Sequence, residues 1–187
     1  MSAGTVTNCV FTDCLGYNAN RGGGVYATGG TVVDCLFDGC GATAYNTAAT
    51  GSGTVLYLFG PSTVADRCRI VNSHTLPKPG YYIHANAPVV VEDRATLRNT
   101  VIANSVMEGC GGIVAWSGTK VENCTVYMNS STNQPGCAAG IAISNATAKV
   151  VNTIVYGNST KGAAAEIGGV AGFADCFDHC LIGVDPQ

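Results

Sequence analysis

The stretch Gly118-Thr-Lys-Val-Glu-Asn-Cys-Thr-Val-Tyr-Met-Asn129 decides the fold. Apolar Val121 is followed by Glu122, a residue suited to solvent, and then by Asn123, Cys124, Thr125 and Val126. Apolar residues at alternate positions describe a short strand with one buried face. Asn between two such runs marks a bend, because its side chain tolerates the left-handed backbone region. The stretch therefore reads as a strand, a corner and a second strand.

The same unit recurs on both sides. Taking Cys124 as an anchor, its equivalents are Cys9, Cys35, Cys68, Thr100, Thr153 and Cys180, spaced 24 to 33 residues apart. Three positions earlier stand Val6, Val32, Ala65, Leu97, Val121, Val150 and Phe177; two positions later stand Phe11, Phe37, Ile70, Ile102, Val126, Val155 and Ile182. All are apolar. Immediately before the anchors come Asn8, Asp34, Arg67, Asn99, Asn123, Asn152 and His179. Each anchor is followed by a Gly-led apolar run, such as Gly24-Val-Tyr-Ala27, Gly112-Ile-Val-Ala115 and Gly140-Ile-Ala-Ile143, after a spacer of variable length. A period of 20–50 residues built on strands specifies a solenoid, in which each repeat buries its face only against its neighbours. No repeat carries an amphipathic helical pattern, so a leucine-rich repeat is excluded. The expectation is an all-β parallel β-helix of about seven coils in one domain spanning 1–187. The coils are bounded near Gly4–Thr28, Gly29–Phe59, Gly60–Pro88, Val89–Ser117, Gly118–Ala146, Thr147–Gly169 and Val170 onward.

The recurring Gly-Thr-Val-x-Asn-Cys-x-Phe/Val pattern, followed by Gly-Gly-Gly-Val or Gly-Gly-Ile-Val, resembles the right-handed parallel β-helix repeats of bacterial surface and secreted proteins. These include adhesin and autotransporter passenger regions and the pectate-lyase-like superfamily. The closing Cys180-Leu-Ile-Gly-Val-Asp-Pro186 is similar to the segment that often ends such repeat regions. The resemblance spans nearly the whole chain and implies an extracellular or cell-surface location. It leaves activity open, because the superfamily holds lyases, hydrolases and non-enzymatic modules alike.

Composition narrows the function classes. Hydrophobic residues make up 47% of the 187 residues and charged residues only 11%, which argues for a packed core. A net charge of −3 with nine scattered basic residues leaves no footprint for nucleic acid. No apolar run approaches 18 residues, so no membrane insertion is expected, and the first residues show no signal-peptide pattern. Neither end carries an obvious polar cap. A longer solenoid, a flanking domain, or self-association end to end into a fibre would each supply one.

Candidate functional residues fall into four groups. Acid and base converge only in coils three and four, at Asp66, Glu92, Asp93, Arg94 and Arg98, with Arg67, Arg69 and His84 nearby. This is the catalytic candidate if the chain is a polysaccharide lyase or glycoside hydrolase. The resemblance implies Ca²⁺ for a lyase and no cofactor otherwise. As a plain surface feature, Asp66, Arg98 and Glu122 form a ladder of alternating charge. Tyr57, Tyr81, Tyr82 and Trp116 form a candidate sugar-stacking platform, or else part of the core. The column Val10, Leu36, Arg69, Val101, Thr125, Ile154 and Leu181 should point outward, yet five of its seven members are apolar. Either a loop of this chain, or another subunit or domain, covers Val10, Leu36, Val101, Ile154 and Leu181.

The ten cysteines divide between the anchor column, expected to be a buried ladder, and the loops. Cys14 with Cys40 and Cys110 with Cys137 are the disulfide candidates. No Cys-x2-Cys pair exists, and Cys176, His179 and Cys180 lack further ligands, so no metal site is expected. Asn72, Asn104, Asn129 and Asn158 form a second ladder. Four Asn-x-Ser/Thr triplets begin at Asn123, Asn129, Asn145 and Asn158. Taken together, these features point to a non-catalytic structural or adhesive solenoid whose loops present a recognition surface, with a polysaccharide as a candidate partner; the carbohydrate-active enzyme is the alternative.

Overall fold

The structure, a computed structural model, describes residues 1–17, 21–43, 53–76, 87–132 and 137–183. Its short strands stack into four sheets. Sheet A contains Thr5–Thr7, Gly30–Val33, Thr63–Asp66, Thr96–Arg98, Lys120–Glu122, Lys149–Val151 and Phe177–Asp178. Sheet B contains Val10–Thr12, Leu36–Asp38, Arg69–Val71, Val101–Ala103, Thr125–Tyr127, Ile154–Tyr156 and Leu181–Gly183. Sheet C holds Leu15–Tyr17, Gly41–Thr43, His74–Leu76, Val106–Met107, Ser130–Ser131 and Ser159–Thr160 in parallel. Sheet D holds Val25–Ala27, Gly53–Phe59, Ala87–Glu92, Ile113–Ala115, Ile141–Ile143 and Ile167–Gly169. The chain visits A, B, C and D in turn, completing six turns and half of a seventh, slightly short of the seven expected.

The corners explain why the strands are so short. Between A and B stand Asn8, Asp34, Arg67, Asn99, Asn123, Asn152 and His179, all in the left-handed region with φ between 50° and 53°. Between B and C stand Asp13, Gly39, Asn72, Asn104, Met128 and Gly157, with φ between 51° and 65°. One left-handed residue turns the chain through a corner. Its N–H continues the ladder by donating to the next coil, as from Asn99 to the Glu122 carbonyl at 2.9 Å and from Asn72 to Ala103 at 3.1 Å. Asn, Asp and Gly suit these positions. Arg67, Met128 and His179 occupy them at a cost of roughly 1–2 kcal/mol each.

The two apolar columns read from the sequence fill the core. Val32, Ala65, Leu97, Val121 and Val150 are fully buried, as are Phe37, Ile70, Ile102, Val126 and Val155. Pairing is in register throughout, for example Leu97 with Val121 and Ile102 with Val126. Phe11 and Phe37 stack with ring centroids 4.6 Å apart. Apolar burial of this kind contributes about 25 cal/mol per Å², and it is what holds strands of three residues in place.

The anchor column is an inward ladder. Each cysteine thiol donates to a backbone carbonyl, as from Cys35 to Val33 at 3.2 Å and from Cys124 to Glu122 at 3.3 Å. Thr fills the same place in the same way, the Thr100 hydroxyl donating to the Arg98 carbonyl at 2.8 Å and Thr153 to Val151 at 3.0 Å; these hydroxyls also accept from the Cys68 and Cys124 N–H groups. The asparagines do not form one column, as the spacing suggested. Asn72 and Asn104 are left-handed corners, whereas Asn129 and Asn158 lie one position further on, buried in a column with Cys14, Cys40, Ser73 and Ser105. There the Asn129 carbonyl oxygen accepts from the Ser105 N–H at 3.0 Å, and that of Asn158 accepts from both the backbone N–H and the amide of Asn129, each at 3.0 Å. Glu166 ends the ladder, accepting from the Asn158 backbone N–H and, at 2.6 Å, from its amide.

Sheet C does not continue past this point. Ala163–Ala164 folds back through Lys161 and Gly162, both left-handed, and pairs antiparallel with Ser159–Thr160. The parallel edges at the C-terminal side therefore belong to sheets A, B and D. No helix among the described residues is long and apolar enough to cross a membrane.

Candidate functional site

The corners differ in what they permit. Every described A–B and B–C corner has two residues, whereas the C–D connections run over 18–24, 44–52, 77–86, 108–112, 132–140 and 161–166. All C–D connections are longer and unequal. The connections from sheet D to sheet A also vary, from two to seven residues, so sheet D is the sheet flanked on both sides by connections of unequal length.

Sheet D has an obligatory entrance. In coils four and five the Gly that leads the run is fixed by close approach. A Cβ on Gly140 would lie 2.1 Å from the Glu166 carbonyl oxygen and 2.6 Å from Val155, and one on Gly112 would lie 2.3 Å from the Gly140 carbonyl oxygen. The strands that follow bury both faces. Inward residues such as Leu56, Val89, Ile113 and Ile141 join the main core. Outward, Tyr26, Tyr57, Val90, Val114 and Ala142 are in register from coil to coil and form a second apolar cluster with Phe59, Trp116 and Cys137.

The two halves of this outer face differ. At the N-terminal half Arg21 lies over the rings of Tyr26 and Tyr57, at 5.5 and 5.3 Å from their centroids, and donates to the Tyr26 hydroxyl at 2.7 Å. Tyr57 donates its hydroxyl to the Glu92 carboxylate. Burial, followed by this bond, pushes the Tyr57 phenol well above its ordinary value, so it remains a donor. Tyr57 is 2% exposed; it is core and offers no stacking platform.

The C-terminal half is open. A groove of about 400 Å³ is lined by Val114, Trp116, Ala142, Ser144 and Val170 and by the Cys110–Cys137 disulfide. This volume lies within the range of ligand sites. The disulfide ties the C–D connections of coils four and five together, with Cα atoms 5.3 Å apart. No lining side chain is charged. The Trp116 indole N–H is buried without a hydrogen-bond partner. Away from the groove, at the end of the sheet C strand Val106–Met107, Glu108 escaped sequence reasoning because it stands in a connection with no fixed spacing. Its Oε2 is buried without a partner, and burial raises its carboxyl above the ordinary value.

The acid–base constellation does not act as one group. Asp66, with its side chain 7% exposed, accepts from Arg67 and Arg98 at 3.0 Å each and from Asn99 at 2.7 Å. Burial pushes this carboxyl up, but the bonds from Asn99 and Arg98 and the neighbouring charges outweigh it and hold it low. Arg67 also forms a two-bond pair with Asp34, at 2.8 and 2.9 Å. The result is a ladder Asp34–Arg67–Asp66–Arg98 at the A–B corner, with every carboxylate paired. Glu122 is in register with Arg98 but forms no ion pair with it. Glu92 instead belongs to the Tyr57 cluster at the end of sheet D. Asp93 and Arg94 form the next corner and pair with each other at 3.5 Å, both exposed. Arg69 is exposed on sheet B. Tyr81, Tyr82 and His84 lie outside the described residues.

The remaining candidates divide. Cys110–Cys137 is a disulfide, whereas Cys14 and Cys40 are free thiols. The Cys14 thiol donates to the Thr12 carbonyl and that of Cys40 to Phe11 and Asp38. The outward column on sheet B is uncovered: Val10 is 68% exposed, Ile154 42% and Leu181 64%, with Leu36 and Val101 half-buried and the stripe interrupted by Arg69. Among the described residues, no loop covers the three exposed members. Among the described residues, no three His, Cys, Asp or Glu side chains are gathered to hold a metal ion. Comparison with family models, curated proteins and solved structures found no match to this chain.

Proposed function

We propose that this chain is a non-catalytic structural or adhesive module of the extracellular surface, with its recognition surface on the outer face of sheet D and the C–D connections beside it. The observation that carries this reading is the confinement of length variation to the two connections that flank sheet D, C–D and D–A, next to an apolar groove walled by Trp116 and braced by a disulfide. Regular corners keep the rod stiff; unequal ones vary what it presents. The pectate-lyase-like and adhesin resemblance rests on the repeat motif alone and supports the extracellular setting, as does the disulfide. The uncharged groove favours a neutral polysaccharide, with the indole against a sugar face. The carboxylates of the Asp66 ladder are tied in ion pairs and bonds, so they serve the rod's surface and leave the enzyme alternative without a separate acid and base.

The experiment is a binding screen of the whole chain against immobilised neutral and acidic polysaccharides, comparing Trp116→Ala with Arg98→Ala. The reading expects Trp116→Ala to lower binding at least about tenfold and Arg98→Ala to leave it unchanged. Loss with Arg98→Ala alone, or cleavage of a polysaccharide by the unmodified chain, would contradict it.

A further inference from the structure

The two inward columns place sulfur unevenly. From coil three onward the anchor column alternates, Cys68, Thr100, Cys124, Thr153, Cys180, so that no thiol stands directly against another. The second inward column holds Ser73, Ser105, Asn129 and Asn158 over the same coils. In these two columns thiols meet across adjacent coils only in the first three coils, where Cys14 stands against Cys40, Cys9 against Cys35 and Cys35 against Cys68. The following residues fix the register: Leu15 pairs with Gly41 and Val10 with Leu36. Parallel neighbours lie about 4.8 Å apart, inside the Cα separation a disulfide accepts. The thiol of Cys40 already reaches into coil one, donating to the Phe11 carbonyl at 3.4 Å.

We propose that Cys14 and Cys40 form a redox clasp that closes by exchange with a small disulfide such as oxidised glutathione and fastens coil one to coil two. Access sets the order of events. Cys14 is half-buried, whereas Cys40 is fully buried, so the external disulfide meets Cys14 first. The Cys14 thiolate attacks one glutathione sulfur, breaking the glutathione disulfide and releasing one glutathione thiolate. The Cys40 thiolate then attacks the Cys14 sulfur of the mixed disulfide and releases the second. Two protein thiols become one disulfide, and one oxidised glutathione becomes two reduced molecules, which take up the two protons. Burial raises the Cys40 thiol to about 11, so alkaline pH favours the second step. Cys14 has a single resolving partner, because the next residue in its column is Ser73. Cys35, by contrast, stands between Cys9 and Cys68.

Coil one is where such a clasp has an effect. Its sheet A and B strands are exposed on their outer faces, and Val6, Cys9, Phe11 and Cys14 are only partly buried. A covalent tie to coil two restricts opening between the two coils.

The test is disulfide mapping by mass spectrometry, with amide hydrogen exchange, on the whole chain at mildly alkaline pH in reduced or oxidised glutathione. The comparison variant is Cys14→Ser, which places at this position the residue the column already uses at Ser73 and Ser105. The clasp predicts a Cys14–Cys40 crosslink beside Cys110–Cys137 and exchange across residues 5–17 slowed about tenfold or more on oxidation. It predicts that Cys14→Ser, folded by the unchanged exchange of coils three to six, loses both effects. A stable glutathione adduct on Cys14 without the crosslink, a crosslink at Cys9–Cys35 instead, or unchanged coil-one exchange with the crosslink formed would each overturn it.

Discussion

The A–B corner and the C–D connection solve the same problem, turning the chain toward the next sheet, by opposite means. At A–B a single left-handed residue does it in all seven coils, and in the first six its N–H carries the ladder into the next coil. At C–D the connections are longer and unequal, and only the glycine preceding several sheet D strands is held to a strict geometry. The difference teaches where this rod is rigid and where it can vary. A corner of two residues sets which side chains point inward on both flanking strands, so a change in its length disturbs the core. A longer connection absorbs a change in length before the chain re-enters the ladder.

The largest expected effect follows directly. Inserting one residue between Asn123 and Cys124 moves Cys124 and Val126 off their inward positions in coil five, and thermal unfolding of the variant should show no cooperative transition. Two residues inserted between Thr132 and Cys137 should instead cost less than about 1 kcal/mol by denaturant titration. Equal tolerance at the two places would break the comparison.

Next are single side chains that the ladder cannot spare. Asn158→Ala removes donors to the Val126 carbonyl and to Glu166 and an acceptor for Asn129. A loss of about 3–4 kcal/mol is expected in urea unfolding. Gly140→Ala drives a methyl into the Glu166 carbonyl and Val155, with an expected loss of about 2–3 kcal/mol. A neutral Gly140→Ala would mean that the entrance to sheet D is as permissive as the connection before it.

The buried thiols give the comparison a pH signature. Burial raises Cys68 to about 11 and Cys124 to about 12, against an ordinary 9.0. Between these limits the unfolded chain holds fewer protons on these groups than the folded chain. Their contribution to stability is therefore complete below pH 9 and is lost progressively as pH rises toward 12. Denaturant midpoints of the reduced protein, compared with Cys124→Thr, which imitates Thr100 and Thr153, should show a shallower alkaline decline in the variant. The smallest effect belongs to the surface ladder. Arg67 is 54% exposed in its pairs with Asp34 and Asp66, and Arg67→Ala should change stability by no more than about 1 kcal/mol.

The same contrast explains what could be read from the sequence. Sheets A and B were legible residue by residue, because the constant corner keeps Val121, Cys124 and Val126 in phase with their equivalents. The disulfide partners Cys110 and Cys137 were legible because both stand just before a Gly-led run. Asn129 and Asn158 were merged with Asn72 and Asn104, because a one-residue offset between a corner and an inward position is invisible without the backbone. Tyr57 read as a platform and Glu92 as part of an acid cluster because the unequal connections hide which outward residues meet on sheet D. Glu108 had no periodic position from which to be noticed.

Trp116 is the only tryptophan in the chain, and this makes the central claim directly measurable. Indole emission should be followed while the whole chain is titrated with a soluble neutral polysaccharide to which it binds by an independent mass-based assay. The account predicts a saturable emission change with the same midpoint as binding, abolished when Val114→Arg places a charge in the groove. Saturable binding with no change in Trp116 emission, or binding that survives Val114→Arg, would contradict the assignment of sheet D's outer face as the recognition surface.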